Sequence, residues 1–89
     1  MKEEFKQKIS DALDLPKDIV LDLSRIIITG KISIFLENHK GIIEYSKDLV
    51  RIKTTSGVVA IKGKGLVIKS IIVDEITVEG KLETIEFED

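Results

Sequence analysis

The sequence predicts an all-β fold: a small β-sandwich or flattened barrel of short, mainly antiparallel strands, with one N-terminal α-helix. Three observations carry this expectation. The chain holds sixteen Ile and seven Val but only two Ala, Ala12 and Ala60, and β-branched side chains suit a pleated surface better than a helix. From Lys17 onward, short apolar runs are separated at regular intervals by Gly, Ser, Asp and Asn, which is strand-and-turn spacing. No helical pattern intervenes that could carry a parallel crossover, so the inward stripes are best buried by packing two layers or closing one.

Taken in order, the first element is the helix. Phe5, Ile9, Ala12 and Leu13 fall on one stripe over residues 3–14, Glu3 and Glu4 lie near the positive end of the dipole, and Pro16 stops the run. Lys2, Lys6 and Lys8 are balanced by Glu3, Glu4, Asp11 and Asp14, so an anionic lipid surface gains little from this helix. Its expected role is to lie over an edge or face of the sheet.

Nine strands are expected after it: Ile19 to Leu23, Ile26 to Thr29, Lys31 to Glu37, Ile42 to Ser46, Leu49 to Thr54, Val58 to Lys62, Leu66 to Ile72, Ile76 to Glu79 and Leu82 to Phe87. Alternation places Ile32, Ile34 and Leu36 inward, and likewise Val50 and Ile52, with Ser33, Glu37, Arg51 and Lys53 outward. Asn38-His39-Lys40-Gly41, Ser46-Lys47-Asp48 and Thr54-Thr55-Ser56-Gly57 read as turns joining the runs from Lys31 to Lys62 into consecutive hairpins. An apolar residue, a polar one and a Gly recur at Ile28-Thr29-Gly30, Ile61-Lys62-Gly63 and Val78-Glu79-Gly80. Their unequal spacing speaks for strand bends rather than a solenoid, and a β-roll or β-helix-like stack is the alternative. Two runs, Arg25 to Ile28 and Lys69 to Val73, are apolar on both faces. Each is either a covered strand or a self-association surface.

At 89 residues the chain supports one core, since a domain of this size buries only about 60–65% of the surface its unfolded chain exposes. A single domain over 1–89 is expected, with the helix in 1–15 and the β region in 17–89. The formal charge of −2 conceals a polarity. Residues 40–69 carry seven Lys/Arg against Glu44 and Asp48, and residues 74–89 carry seven acids against Lys81. Neighbouring antiparallel strands are the natural place for these charges to cancel.

Chemistry is sparse. Without cysteine there are no disulfides, thiolate metal ligands or Cys nucleophiles. The first ten residues, MKEEFKQKIS, lack a signal-peptide core, and no run approaches the roughly 20 apolar residues of a membrane helix. An intracellular, cytoplasmic address without direct membrane insertion is therefore expected. His39 is the one histidine, so a zinc cluster is excluded and any triad would have to be built around it, with Ser46 and Asp48 as the nearest partners in sequence. A turn histidine beside Asn38 and Lys40 serves more simply as a solvated or hydrogen-bonding residue. Glu37 with Glu44, and Glu83 with Glu86, are carboxylate pairs that a charged sheet surface supplies by chance. Gly63-Lys64-Gly65 lacks the spacing and the following helix of a phosphate loop. No enzyme, no metal and no cofactor is expected.

One cluster fits a polyanion: Arg51, Lys53, Lys62, Lys64 and Lys69 form a basic strand face of the kind small β-barrels use for single strands. The stacking partners are missing, because Phe5, Phe35, Tyr45 and Phe87 are dispersed, and the net charge opposes phosphate. Nucleic acid is thus an unfavoured partner.

Ile26 to Gly30, Leu36-Glu37-Asn38-His39-Lys40-Gly41-Ile42-Ile43-Glu44-Tyr45-Ser46, and Val58 to Gly63 with Leu66, Ile68 and Ile71 together resemble the YabP/YqfC family of sporulation proteins. Leu15-Pro16-Lys17-Asp18, the Leu36 to Gly41 block and Val78-Glu79-Gly80-Lys81-Leu82 with Ile85 resemble the YqfC branch. The resemblance spans nearly the whole chain and consists mostly of turn and core positions. It implies a small β-sandwich-like fold, a role in the mother cell of an endospore-forming bacterium, and no established enzymatic activity or catalytic residues. Three functions remain open. One is a non-enzymatic sporulation protein acting through protein contacts, as an adaptor or assembly factor whose partner could be a membrane protein. Its candidate contacts are Glu37, Asn38, His39, Lys40 and Tyr45. The others are the polyanion-binding barrel and a self-assembling structural component, a homo-oligomer joined through a sheet edge.

Overall fold

A computed structural model describes residues 22–89. Six antiparallel strands form one sheet: β1 (Arg25–Thr29), β2 (Ser33–Glu37), β3 (Ile42–Tyr45), β4 (Leu49–Thr54), β5 (Gly57–Ile72) and β6 (Glu75–Glu88). Their spatial order is β1-β2-β6-β5-β4-β3. The all-β expectation holds, and the antiparallel ladders leave no place for a β-helix-like stack. The helix expected over 3–14 lies outside the described residues, as does most of the strand expected at Ile19 to Leu23, of which Asp22 and Leu23 belong to no strand.

Alternation produces the core directly. Ile34 and Leu36 of β2, Val50 and Ile52 of β4, Val59, Ile61 and Leu66 of β5, and Ile76, Val78 and Leu82 of β6 form one buried cluster. Residues on one face of a flat sheet are not excluded from water unless something covers them. Here the halves of the sheet cover each other. β5 and β6 both bend midway, so β1, β2 and residues 66–72 and 75–79 make a first layer, and β3, β4 and residues 57–63 and 81–88 make a second. This folded sheet is a sandwich whose layers share two continuous strands.

The bend explains the Gly recurrence. A Cβ on Gly80, whose φ is +146°, would stand 2.8 Å from the Gly65 carbonyl oxygen and 3.0 Å from the Leu66 Cα, so the two chains cross too closely there for any side chain. Gly63 makes a similar approach to the Lys81 carbonyl. Register shifts at Lys62/Gly63 and Lys64/Val67 mark the turn in the ladder. Both short hairpins end on this corner. The Gly80 and Leu82 amides donate to the carbonyls of Ile32 and Lys31, and those of Gly63 and Leu66 to Asp48 and Lys47.

Three expectations are corrected. Val58 to Lys62 and Leu66 to Ile72 are one strand, β5, and Ile76 to Glu79 and Leu82 to Phe87 are one strand, β6. A glycine reads as a break in sequence, but antiparallel neighbours carry the chain through it. Residues 38–41 do not close a hairpin, because β2 pairs with β1 and β6 while β3 pairs with β4. That segment crosses from the first layer to the second. Ile32 faces solvent, since it lies in the β1–β2 turn rather than in β2.

Charge cancels between neighbouring strands and, at one place, across an intervening one. Arg51 of β4 sits between Glu44 of β3 and Glu88 of β6, at 3.4 and 2.6 Å, and Lys62 of β5 reaches Glu86 of β6 at 3.3 Å. Ala60, opposite both Arg51 and Glu86 in the ladder and fully buried, is small enough for the guanidinium to pass over it to β6.

Candidate functional site

Residues 37–45 lead from β2 across one open side of the sandwich into β3. Asn38 adopts a left-handed backbone with φ of 64°, which asparagine tolerates better than most residues because its short amide bonds locally. Its N–H donates to the Asp74 carbonyl at 2.6 Å and its own carbonyl accepts from Ser24 Oγ at 2.8 Å. The side-chain Nδ2 donates to Asp22 Oδ1 at 2.8 Å, and Oδ1 accepts from Lys40 Nζ at 3.2 Å. Asn38 therefore binds the start of β1 rather than only its own turn.

His39 is buried, with 9% of its surface exposed. Its Nδ1 accepts the Gly41 N–H at 3.0 Å, so that nitrogen carries no proton and the neutral ring is the Nε2–H tautomer. Nε2–H in turn faces the Ile72 carbonyl at 3.4 Å. Its backbone N–H shares the Asp74 carbonyl with Asn38, at 3.2 Å. The Lys40 amide donates to the Lys53 carbonyl, and the Lys53 amide to that of Gly41, which fixes the far end of the crossing to β4. A buried imidazole with both nitrogens matched to backbone groups satisfies what burial demands of a polar ring.

Tyr45 lies at the other end of β3. It is half exposed and its hydroxyl donates to the Leu66 carbonyl at 3.3 Å. His39 and Tyr45 do not form one patch. They are two rungs about a strand's length apart, both bonded to carbonyls of the C-terminal half of β5, and they bridge the same gap between β3 and β5. Glu37 pairs in register with Arg25 and Glu75 on the outer face of the first layer, and Lys40 is exposed. Of the candidate contacts, Lys40 and Tyr45 are exposed, whereas His39 is buried and bonded to backbone groups.

The five basic residues are spread over three places. Arg51, Lys53 and Lys62 lie on the outer face of the second layer, Lys64 at the bend, and Lys69 in the bulged stretch between Ile68 and Ser70 of the first layer. The carboxylates that hold Arg51, Glu88 first and Glu44 second, also raise its proton affinity, and Lys62 is paired with Glu86. Among the described residues, no group of three or more His, Cys, Asp or Glu side chains could hold a metal ion, and no helix is long and apolar enough to cross a membrane.

Sequence reasoning missed the opposite open side. β1 faces the C-terminal half of β6 there across two clefts of about 160 and 140 Å³. The first is lined by Ile28, Lys31, Leu82 and Ile85 among others, the second by Ser24, Ile26, Val59 and Phe87 among others. The only signal was the run Arg25 to Ile28, apolar on both faces.

Comparison with known proteins assigns the lineage. The chain is similar to "Uncharacterized protein YqfC" of Bacillus subtilis (strain 168), with 36% identity over 86 residues, covering 97% of this chain and 92% of that protein. No solved structure matches it. The model of the YabP family matches residues 21–89, from just before β1 through all six strands, and the chain belongs to that family.

Proposed function

We infer that this chain is a non-enzymatic sporulation protein of the mother cell, an adaptor or assembly factor that works by protein contact. Membership of the YabP family supports the setting. The observation that supports the contact mode is the use of His39: the side chain best suited to proton transfer is buried and spends both ring nitrogens on Gly41 and Ile72. What the same region offers outward is contact surface. Lys40, Ile43 and Tyr45 are exposed along the crossing and β3, and exposed aromatic side chains are common interface anchors.

The test is a crosslinked pull-down from sporulating cells with the tagged full chain. It compares wild type with a variant carrying Lys40→Ala, Ile43→Ser and Tyr45→Ala, whose fold is checked by circular dichroism. Loss of a specific partner from the folded variant supports the reading. Equal recovery of the same partners from both removes this surface from consideration.

A further inference from the structure

We propose that the bend end of the sandwich is a docking face for an anionic lipid surface, where Lys31, Lys47, Lys64 and Lys81 meet the headgroups and Ile32 enters between them. The inference goes beyond the functional reading and does not depend on it.

The fold collects these lysines from four separate stretches of chain. Lys64 and Lys81 are cross-strand partners at the bend of β5 and β6. The preceding pair in the ladder, Gly63 and Leu82, is buried, so alternation turns Lys64 and Lys81 outward. The two hairpin turns dock on either side of them. The carbonyl of Lys31 accepts the Leu82 amide and that of Lys47 the Leu66 amide, both at 2.8 Å. All four lysines are exposed. Gly63-Lys64-Gly65, which does not make a phosphate loop, thus lies at the centre of a basic cluster.

Two features set this cluster apart from ordinary surface charge. Like charges directly opposite in a ladder are destabilising, yet Lys64 stands against Lys81 at exposed positions where the core requires neither. Among the described residues, ion pairs engage Arg51 and Lys62 but none of these four lysines, although Asp48, Glu79 and Glu83 are close in sequence. At the opposite end, where residues 38–41 cross between the layers, the balance reverses, with Glu37, Asp74, Glu75, Glu88 and Asp89 against Arg25, Lys40 and Lys53. A chain of net charge −2 thereby carries a field along its length that turns the bend toward an anionic surface.

Shape and apolar neighbours favour a membrane over a free polyanion. The corner is the outside of a bend, and neither of the two clefts is lined by Lys47, Lys64 or Lys81. A small anion therefore finds no enclosure there, whereas a flat, extended surface needs none. Ile32 is 65% exposed in the turn that carries Lys31, and Val67, just past the corner on β5, is 47% exposed. Aliphatic side chains among lysines gain little from a phosphate backbone, but they enter the headgroup layer of a bilayer.

The test is sedimentation of the full chain with vesicles at low ionic strength, phosphatidylcholine alone against phosphatidylcholine with phosphatidylglycerol. Binding to the anionic vesicles that weakens as salt is added is expected. Lys64→Gln with Lys81→Gln should lower the affinity roughly 25-fold, about fivefold for each lysine at such a surface. The charge-matched pair Arg25→Gln with Lys53→Gln, at the far end, should stay within about twofold of wild type. Relief of the like-charge pair should leave the bend variant melting no lower than wild type. Lys31→Gln, in an exposed turn, repeats the test with an expected loss of about fivefold, and Ile32→Ser should weaken the binding that survives in high salt. Equal binding to neutral and anionic vesicles overturns the proposal, and so does an equal loss in the two double variants. Tighter binding to a single-stranded oligonucleotide than to anionic vesicles also overturns it, in favour of a free polyanion.

Discussion

The two open sides of the sandwich are built from similar parts and finished differently. Each is flanked by two strand edges and each has apolar side chains at its rim: Tyr45 and Ile71 where β3 faces β5, Ile28 and Phe87 where β1 faces β6. On the first side the chain itself crosses the gap, and Asn38, His39 and Tyr45 tie β2 and β3 to the Ile72, Asp74 and Leu66 carbonyls. On the second side the described residues hold Asp22 at the mouth, through Thr55 and Asn38, and leave two clefts. The difference teaches that polar groups and apolar groups close an edge by different routes. A crossing segment can bring hydrogen bonds to a gap, but only another apolar surface removes Phe87 from water.

The largest effect should erase the comparison altogether. Leu66 is fully buried at the shared corner, and Leu66→Ala should cost about 2–5 kcal/mol in urea denaturation, with amide exchange accelerating on both sides alike. Next, His39→Ala removes the acceptor for the partly buried Gly41 N–H and should cost about 1–3 kcal/mol. Faster exchange should be confined to residues 38–41 and 72–74. His39→Asn, whose Oδ1 can accept the same amide in an Asx turn, should recover about half of that loss. Tyr45→Phe keeps the ring and loses one hydrogen bond, for about 0.5–1.5 kcal/mol. The smallest effect belongs to Glu88→Gln. It loosens Arg51 on the outer face, and the change should fade as salt is added.

Much of the architecture was legible because alternation and burial are the same statement in a strand. Leu49–Thr54 has the expected limits, and Ile34, Leu36, Val50 and Ile52 are in the core where the period-two pattern puts them. What could not be read was pairing between distant strands. Asn38 to Gly41 has turn chemistry that serves a hairpin and a layer crossing equally well, since both need a left-handed residue and local hydrogen bonds. Likewise, Gly63 and Gly80 announce a conformational exception without saying whether the strand ends there or bends. Burial of His39 follows from its crossing the gap, so it was invisible until the crossing was known. The β1/β6 slot was hidden for a related reason: Ile28 and Phe87 alternate as core residues do, and the sequence pattern does not record whether anything lies over them.

The bent pair β5–β6 has a consequence for how the molecule assembles. Joined by the short turn at Val73 and Asp74, these strands zip from residues close in sequence, and β4 and then β3 add to β5 as successive neighbours. By contrast, the β1–β2 hairpin must return from the far end of the described chain to meet β6, and loop closure makes that the slowest pairing to form. Its arrival creates the β1/β6 slot. The surface left open among the described residues is therefore expected to be the last one made, and the first lost when the protein begins to unfold.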